Sequence, residues 1–346
     1  MALRYIDSMG DHYTAAQVNL KWTTSLLPVR RTGVHGFAMA GMLKKGMLFG
    51  STTIIMEAYI QRLTSGLLFS FDDRTTPNPI TQIHCDVISD GTLYVSRYGS
   101  SSGADLIAQT PPDTVRANTW YHLGWKVLLH PSAGSIEVRL NGATILSASG
   151  IKTVATSLPW SGEVGSFTVG DNGSGVNFDD LVVMDDVDDG ISDSRLPGGG
   201  GFDKFLGPVE IIVKRPDGVG TVTGWTPAPA GSNWDNVNDI ESDDDTTLNS
   251  ASPAATGASD LFTMEDLTTL QDVVGVQSLV LARKTEEGVA AIAKQVRDTG
   301  TTTTGSPFYL PSTYSYLITP EPTLPGGGLW SRTRWNAIEY GYTRMV

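Results

Sequence analysis

The sequence predicts an all-β protein of two β-sandwich domains, with a short helix near its C-terminus. Three observations point there. Apolar and polar residues alternate with period two along many short segments rich in Val, Ile, Thr, Leu and Tyr, the spacing that sends successive side chains to opposite faces of a strand. The 38 glycines and 18 prolines are spread along the 346 residues and interrupt those segments as turns do. Amphipathic stretches of helical spacing are hard to find. The hydrophobic share, 40%, is ample for packed cores, and the length suits two domains.

Strand-like segments follow one another from Val18 to Met184. Thr52–Leu63 and Gly66–Asp73 are the first clear pair, separated by Thr64-Ser65. In the next segment Asp90-Gly91 signals a hairpin whose two turn residues take φ > 0. There His84, Asp86 and Ile88 are placed on one face, and Ile83, Cys85 and Val87 on the other. Trp120–His130 and Ser135–Ser149 come next, with Asn141-Gly142 turning one strand back on its successor. A final pair, Gly165–Asp171 and Asn177–Asp186, closes this half.

Three places in this half resemble the laminin-G/concanavalin-A-like jelly-roll family. They are Asn118-Thr119-Trp120-Tyr121-His122-Leu123, Ile136-Glu137-Val138-Arg139-Leu140-Asn141-Gly142, and Phe167-Thr168-Val169-Gly170 followed by Phe178-Asp179-Asp180-Leu181-Val182-Val183. They occur in the family's order, so the resemblance implies a concanavalin-A-like jelly roll over 1–190. The acidic run Asp185–Gly190 and the four glycines at 198–201 then break the pattern, since consecutive glycines are entropically costly inside a strand. A Gly-rich linker is expected over 191–208, either flexible or a close-packed backbone crossing, with a second β-sandwich domain over 209–346.

That second half opens with a strand from Val209 into a Pro216-Asp217-Gly218 turn. Trp225 and Trp234 read as buried anchors in a turn-rich segment. Between Val273 and Gly300, Glu286–Arg297 suits a helix by propensity, but period-two alternation on both sides of Glu287-Gly288 favours a hairpin. The closing segments resemble the end of a family of tailed-bacteriophage virion proteins: Leu324-Pro325-Gly326-Gly327-Gly328-Leu329-Trp330, then Trp335-Asn336-Ala337-Ile338-Glu339-Tyr340-Gly341 on a short helix. Tyr5-Ile6-Asp7, Asp11-His12-Tyr13, Lys21-Trp22, Phe205-Leu206-Gly207-Pro208-Val209 and Ala282-Arg283-Lys284-Thr285 extend the resemblance along nearly the whole chain. Leu324-Pro325 stands where Asp-Pro is commoner.

This second resemblance implies a non-enzymatic structural component of a phage particle (tail, fibre or head-surface decoration), acting through protein–protein assembly. The partners expected are other phage virion proteins and copies of itself, as a homo-oligomer, with host-surface glycan as a further candidate. The location expected is the virion, after folding in the bacterial host cytoplasm. A carbohydrate-binding receptor or adhesion module is the alternative, cued by Tyr94, Tyr98 and Trp160. A polysaccharide depolymerase is a more distant one.

Composition narrows the classes. Asp and Glu number 37 against 24 Lys and Arg, a net charge of −13 that repels phosphate backbones, so no nucleic-acid partner is expected. No apolar run reaches the roughly 18 residues a membrane helix needs, and no signal peptide is visible. The one cysteine, Cys85, makes neither an internal disulfide nor a thiolate zinc site.

No catalytic residue is expected. Gly99-Ser100-Ser101-Ser102-Gly103 satisfies the nucleophile-elbow pattern but lacks the following helix, so it reads as a loop. The histidines (His12, His35, His84, His122, His130) show no metal spacing, and His122 reads as a packed residue. The Glu-x-Asp-x-Glu strand of glucanases is missing. No cofactor is called for, and calcium is the candidate ion. Asp171, Asn177 and Asp179 gather oxygen ligands around a Gly-rich turn, as laminin-G relatives do; capping of backbone N–H groups by Asp179 or Asp180 is the competing role. Near the C-terminus, Trp330, Trp335, Tyr340 and Tyr342 form either a glycan-stacking or protein interface or the packing between helix and sheet.

Overall fold

Strands make up most of the computed structural model, which describes residues 2–7, 23–24, 28–30, 37–39, 43–46, 51–73, 80–98, 104–155, 160, 162–170, 175–186, 204–239, 242–268 and 272–346. The chain divides into two units, with the boundary between Ile211 and Ile212. In the first unit the strands are β1 (Ala2–Asp7), β2 (Thr23–Thr24), β3 (Pro28–Arg30), β4 (Phe37–Met39) and β5 (Leu43–Gly46). Then come β6 (Thr53–Arg62), β7 (Gly66–Asp73), β8 (Thr81–Val87), β9 (Leu93–Tyr98) and β10 (Ala104–Gln109). Last are β11 (Trp120–Leu128), β12 (Gly134–Leu140), β13 (Ala143–Ile151), β14 (Val164–Val169) and β15 (Val176–Asp185).

These strands build two antiparallel sheets. One is eight-stranded, in the order β13-β12-β11-β6-β15-β4-β3 with β1 added on β15. The other is seven-stranded, in the order β10-β9-β8-β7-β14-β5-β2. Successive strands β6 and β7 lie in different sheets, as do β14 and β15, so the two segment pairs expected from the sequence are crossings and not hairpins. The inner faces meet through aromatic side chains: Trp125 of the larger sheet stacks on Phe71 of the smaller, centroids 4.8 Å apart, with Phe69 6.2 Å from the same indole. Each such ring removes about 150–250 Å² from water, worth roughly 4–6 kcal/mol at about 25 cal/mol per Å². This is a β-sandwich.

The two hairpin signals resolve differently. At Asn141-Gly142 both residues have φ > 0 (50° and 83°), as a two-residue type I′ turn requires. At Asp90-Gly91 only Gly91 does (φ 85°). The β8–β9 loop is longer, closed by Ile88 N–H to Thr92 O at 3.0 Å and Gly91 N–H to Ile88 O at 2.9 Å, so one left-handed residue suffices. A β-carbon on Gly91 would lie 2.5 Å from Val115 O, which makes glycine obligatory there.

The second unit holds β16 (Pro216–Thr223), β17 (Thr226–Ala228), β18 (Leu248–Ser250), β19 (Ser259–Met264), β20 (Val276–Ala282) and β21 (Ala291–Asp298). β22 (Thr301–Thr304), β23 (Phe308–Tyr309), β24 (Ser315–Glu321), α1 (Arg332–Trp335) and β25 (Glu339–Arg344) complete it. A six-stranded sheet, β16-β19-β25-β21-β22 with β23 on β21, is accompanied by the pairs β17-β18 and β20-β24. The alternation around Glu287-Gly288 does give two strands, β20 and β21, but not the expected hairpin: β20 pairs with β24, and β21 with β25, β22 and β23. Two-residue periodicity reveals a strand and says nothing of its partner.

Ser331 caps α1 by accepting the Arg334 N–H at 3.2 Å, and the helix ends at Trp335. The Asn336–Gly341 segment, expected on that helix, instead runs into strand β25. A β-carbon on Gly341 would lie 1.8 Å from Asp260 O of β19, so this glycine permits the close strand pairing. The linker expected over 191–208 lies outside the described residues as far as 203, while Lys204–Ile211 belongs to the first unit.

Candidate functional site

On the outer face of the larger sheet, β6, β11 and β12 place Glu57, Gly124 and Arg139 in one row, with Tyr59 and His122 in the next. Alternation dictates this, since Met56, Ala58, Leu123, Trp125 and Val138 point inward. Residues 204–211 cross this face as a strap. Phe205 lies on Gly124, whose β-carbon would stand 2.6 Å from the ring, and beneath the Arg139 guanidinium, 4.4 Å from the centroid. The backbone N–H groups of Leu206 and Gly207 donate to the Glu57 carboxylate at 2.6 and 3.1 Å. Further along, Ile211 N–H donates to Asp180 Oδ1 at 3.2 Å, at the bulge where β15 shifts register against β6.

Glu57 is 1% exposed, and burial pushes its carboxyl up to about 7 against the lowering effect of the two N–H bonds and of Arg139. His122 Nε2 lies 3.9 Å from Glu57 Oε1, and the imidazole meets the Tyr59 ring edge-on at 5.3 Å. Neither His122 ring nitrogen has a hydrogen-bond partner among the described residues, and burial takes the group down to about 4, so the ring is neutral at pH 7. A carboxylic acid beside a neutral imidazole is the equipment of general acid–base chemistry. Here the carboxyl is occupied by the chain's own backbone.

The outer face of the smaller sheet differs. Inward-facing Ile83, Cys85, Val87, Leu93 and Val95 are buried, which leaves His84, Asp86, Tyr94, Ser96 and Tyr98 facing outward. Pairing sets Thr168, Ser70, His84 and Ser96 in one row and Asp86 beside Tyr94. His84 Nε2 is 3.2 Å from Asp86 Oδ2, and burial lowers the imidazole below its ordinary value, so it is neutral at pH 7. Tyr98 is 49% exposed and Leu106, on edge strand β10, 52%. Thr168, Ser70 and Ser96 of that row are buried, so the exposed groups of this face are Tyr98 and Leu106.

Of the two roles the sequence leaves open for the C-terminal aromatic residues, the structure shows packing. Trp330, Trp335, Tyr340 and Tyr342 are all buried, the first at 0% exposure, and so present no ring face to a sugar or another subunit. Trp330 lies parallel to Tyr340 with centroids 6.5 Å apart, and its indole N–H donates to Glu321 O at 2.9 Å. Beside them Lys294 pairs with Glu321, whose other oxygen accepts the Tyr340 hydroxyl at 3.0 Å; burial raises both Glu321 and Tyr340 above their ordinary values. Tyr342 accepts the Asn249 amide at 3.0 Å. This cluster is a core.

Of the candidate calcium ligands, Asp171 lies outside the described residues. Asn177 donates to Gln61 Oε1 at 2.8 Å, and Asp179 Oδ1 accepts the Asp180 N–H at 3.0 Å, the capping role weighed against metal binding. Among the described residues no three His, Cys, Asp or Glu side chains are placed to hold a metal ion. The Gly99–Gly103 loop, His12 and His35 are also outside the described residues. His130 caps a turn, accepting the Ser132 and Ala133 N–H groups at 3.1 and 2.7 Å. No helix of the described residues is long and apolar enough to cross a membrane.

No protein-family model and no curated protein matches the chain in sequence. Among solved structures it is similar to the endo-β-1,4-glucuronan lyase of the fungus Trichoderma reesei, at 12% identity and TM-score 0.34 over 53% of this chain and 91% of that one. It is similar to a carbohydrate esterase of the Shiga toxin-encoding bacteriophage phi24B, at 10% identity and TM-score 0.32 over 53% of this chain and 100% of that one. The carbohydrate-binding module of a Ruminococcus gnavus sialidase, bound to α2,3-sialyllactose, gives 15% identity and TM-score 0.29 over 43% of this chain and 94% of that one. At these TM-scores the likenesses decide neither fold nor function.

Proposed function

We propose that the chain is a non-enzymatic structural component of a bacteriophage particle, of the tail, fibre or head-surface class, that works through protein–protein assembly. One observation carries the reading: three buried carboxylates, Glu57, Glu321 and Asp260, are committed to the chain's own groups. Glu57 holds the strap, and Glu321 takes Lys294 and Tyr340. Asp260 accepts the Gly224 and Trp225 N–H groups at 2.8 and 3.0 Å and the Asn233 amide at 2.7 Å. Groups fixed in this way rigidify a block, as a structural part requires. The resemblance of the closing segments Leu324–Trp330 and Trp335–Gly341 to virion proteins supports the phage assignment. Its partners are then other virion proteins and further copies of itself. Mass spectrometry of purified particles from the phage that encodes the chain should find it in fixed stoichiometry; its absence from particles, with presence in the lysate, overturns the reading.

A second reading, carbohydrate binding at the host surface, is favoured by Tyr98, Tyr94 and the His84–Asp86 pair on one sheet face. A glycan array tests it. Binding that Tyr98→Ala abolishes supports it, and an array with no binding overturns it. Depolymerase activity would release reducing ends from capsule or lipopolysaccharide, and none is expected.

A further inference from the structure

We infer that Lys294 and Glu321 close into an intramolecular amide, a covalent staple between β21 of the six-stranded sheet and β24 of the two-stranded ribbon. The staple does not depend on the role proposed for the chain, and the ion pair is the state that precedes it. It stands on contact and confinement. Lys294 Nζ meets Glu321 Oε1 directly, and both residues are buried. Register sets Lys294 opposite Tyr342 and Val296 opposite Tyr340, so the lysine shares the face of β21 that packs on Trp330, Trp335 and Tyr340.

Three features fix the acid. Pro320 and Pro322 flank Glu321 and restrict its backbone. The Trp330 indole N–H donates to Glu321 O at 2.9 Å, and the Tyr340 hydroxyl donates to Glu321 Oε2 at 3.0 Å. Amine and acid are thus held side by side, and well-oriented intramolecular partners reach effective concentrations of about 10⁵–10⁸ M. As ions the two carry a desolvation cost in this core that a neutral amide does not. Condensation is favoured on both counts.

The step balances within the pair. A proton passes from the Lys294 ammonium to Glu321 Oε1 and leaves a neutral amine beside a neutral acid, the form of the acid that burial favours. The Nζ lone pair attacks Cδ, and negative charge gathers on Oε2, where the Tyr340 hydroxyl already donates. Oε1 then leaves as water with two of the three ammonium protons, and the third stays on the amide nitrogen. No oxidant, reductant or co-reactant enters. With Cys85 as the one cysteine, the chain has no internal disulfide, and this bond ties positions 27 apart in its place.

The intact mass of the full chain tests the staple, measured in denaturant after the folded protein has been stored until its mass is constant. The parent should be one water lighter than its sequence, and Glu321→Ala should have the full mass of its own. Asp-Gly pairs such as Asp90-Gly91 also lose water, so trypsin must locate the loss. Cleavage after Arg297 puts Lys294 and Glu321 on separate peptides unless they are joined. Thr285–Arg297, uncut at Lys294, should therefore stay bound to Asp298–Arg332. Tyr340→Phe should slow the joining by about 100-fold, as loss of one oxyanion donor does, and an unchanged rate would overturn the part given to Tyr340. A parent chain at full mass, or a water loss that leaves the two peptides separate, overturns the inference.

Discussion

The Phe205 ring fills the space that a side chain at position 124 would need, 2.6 Å from where a β-carbon on Gly124 would stand. A missing side chain in the middle of β11 is thus the notch that seats the strap. Gly124→Ala should cost about 1–3 kcal/mol, as overpacking does, and should loosen residues 204–211. Adding Phe205→Ala should recover part of that loss, because the two positions act through one contact. Urea midpoints of the four proteins in this cycle measure the coupling, and strict additivity would remove the notch from the account.

Glu57 gives a pH prediction of definite sign. Its carboxyl sits at about 7 in the folded chain against an ordinary 4.5, so its contribution is fully present below 4.5 and lost as pH rises through 7. Relative to the parent, Glu57→Gln should therefore gain stability from pH 4.5 to 8, by about 3 kcal/mol at the upper limit. Denaturant titrations at the two pH values check the direction.

Lys294 and Glu321 make the corresponding ion pair in the second unit. Lys294→Met strands a buried carboxylate and should cost about 3–5 kcal/mol, whereas Lys294→Met with Glu321→Leu should cost much less. Equal losses in the single and double variants would show that the pair is not the reason for the cost.

Trp330 belongs to the same core and tests its assignment. Trp330→Ala should destabilise the protein by about 3–5 kcal/mol. Any glycan bound by the parent should still bind at a temperature where the variant is folded. Tyr98→Ala should do the reverse, leaving the melting temperature nearly unchanged.

The strands were legible in the sequence because a half-buried strand writes its geometry as alternation, and Ile83 to Ile88 shows this residue by residue. Asn141-Gly142 was legible for a similar reason: few dipeptides adopt φ > 0 twice. Partnership was not legible. β20 and β21 flank a good turn dipeptide yet enter different sheets, because the pairing is decided by β24 and β25, whose segments lie much further along the chain.

The C-terminal aromatic residues left two roles open for a physical reason. A Trp-Tyr cluster reads alike whether it faces water or fills a core, and only the packing of Trp330, Trp335 and Tyr340 with Val296, Leu324 and Ile338 separates the cases. Glu57 was the missed residue. Its one signal was a lone acid in the apolar run Thr53–Ile60, at an outward position; its partners, the Leu206 and Gly207 N–H groups, come 149 and 150 positions on.

The role proposed for the chain is that of a repeated structural part of a phage particle. Electron cryomicroscopy of the particle tests it most directly. Symmetry-related densities into which the β-sandwich of the first unit fits, with residues 204–211 on Glu57, are the expected result. A particle reconstructed to side-chain detail with every density assigned to other chains would contradict it.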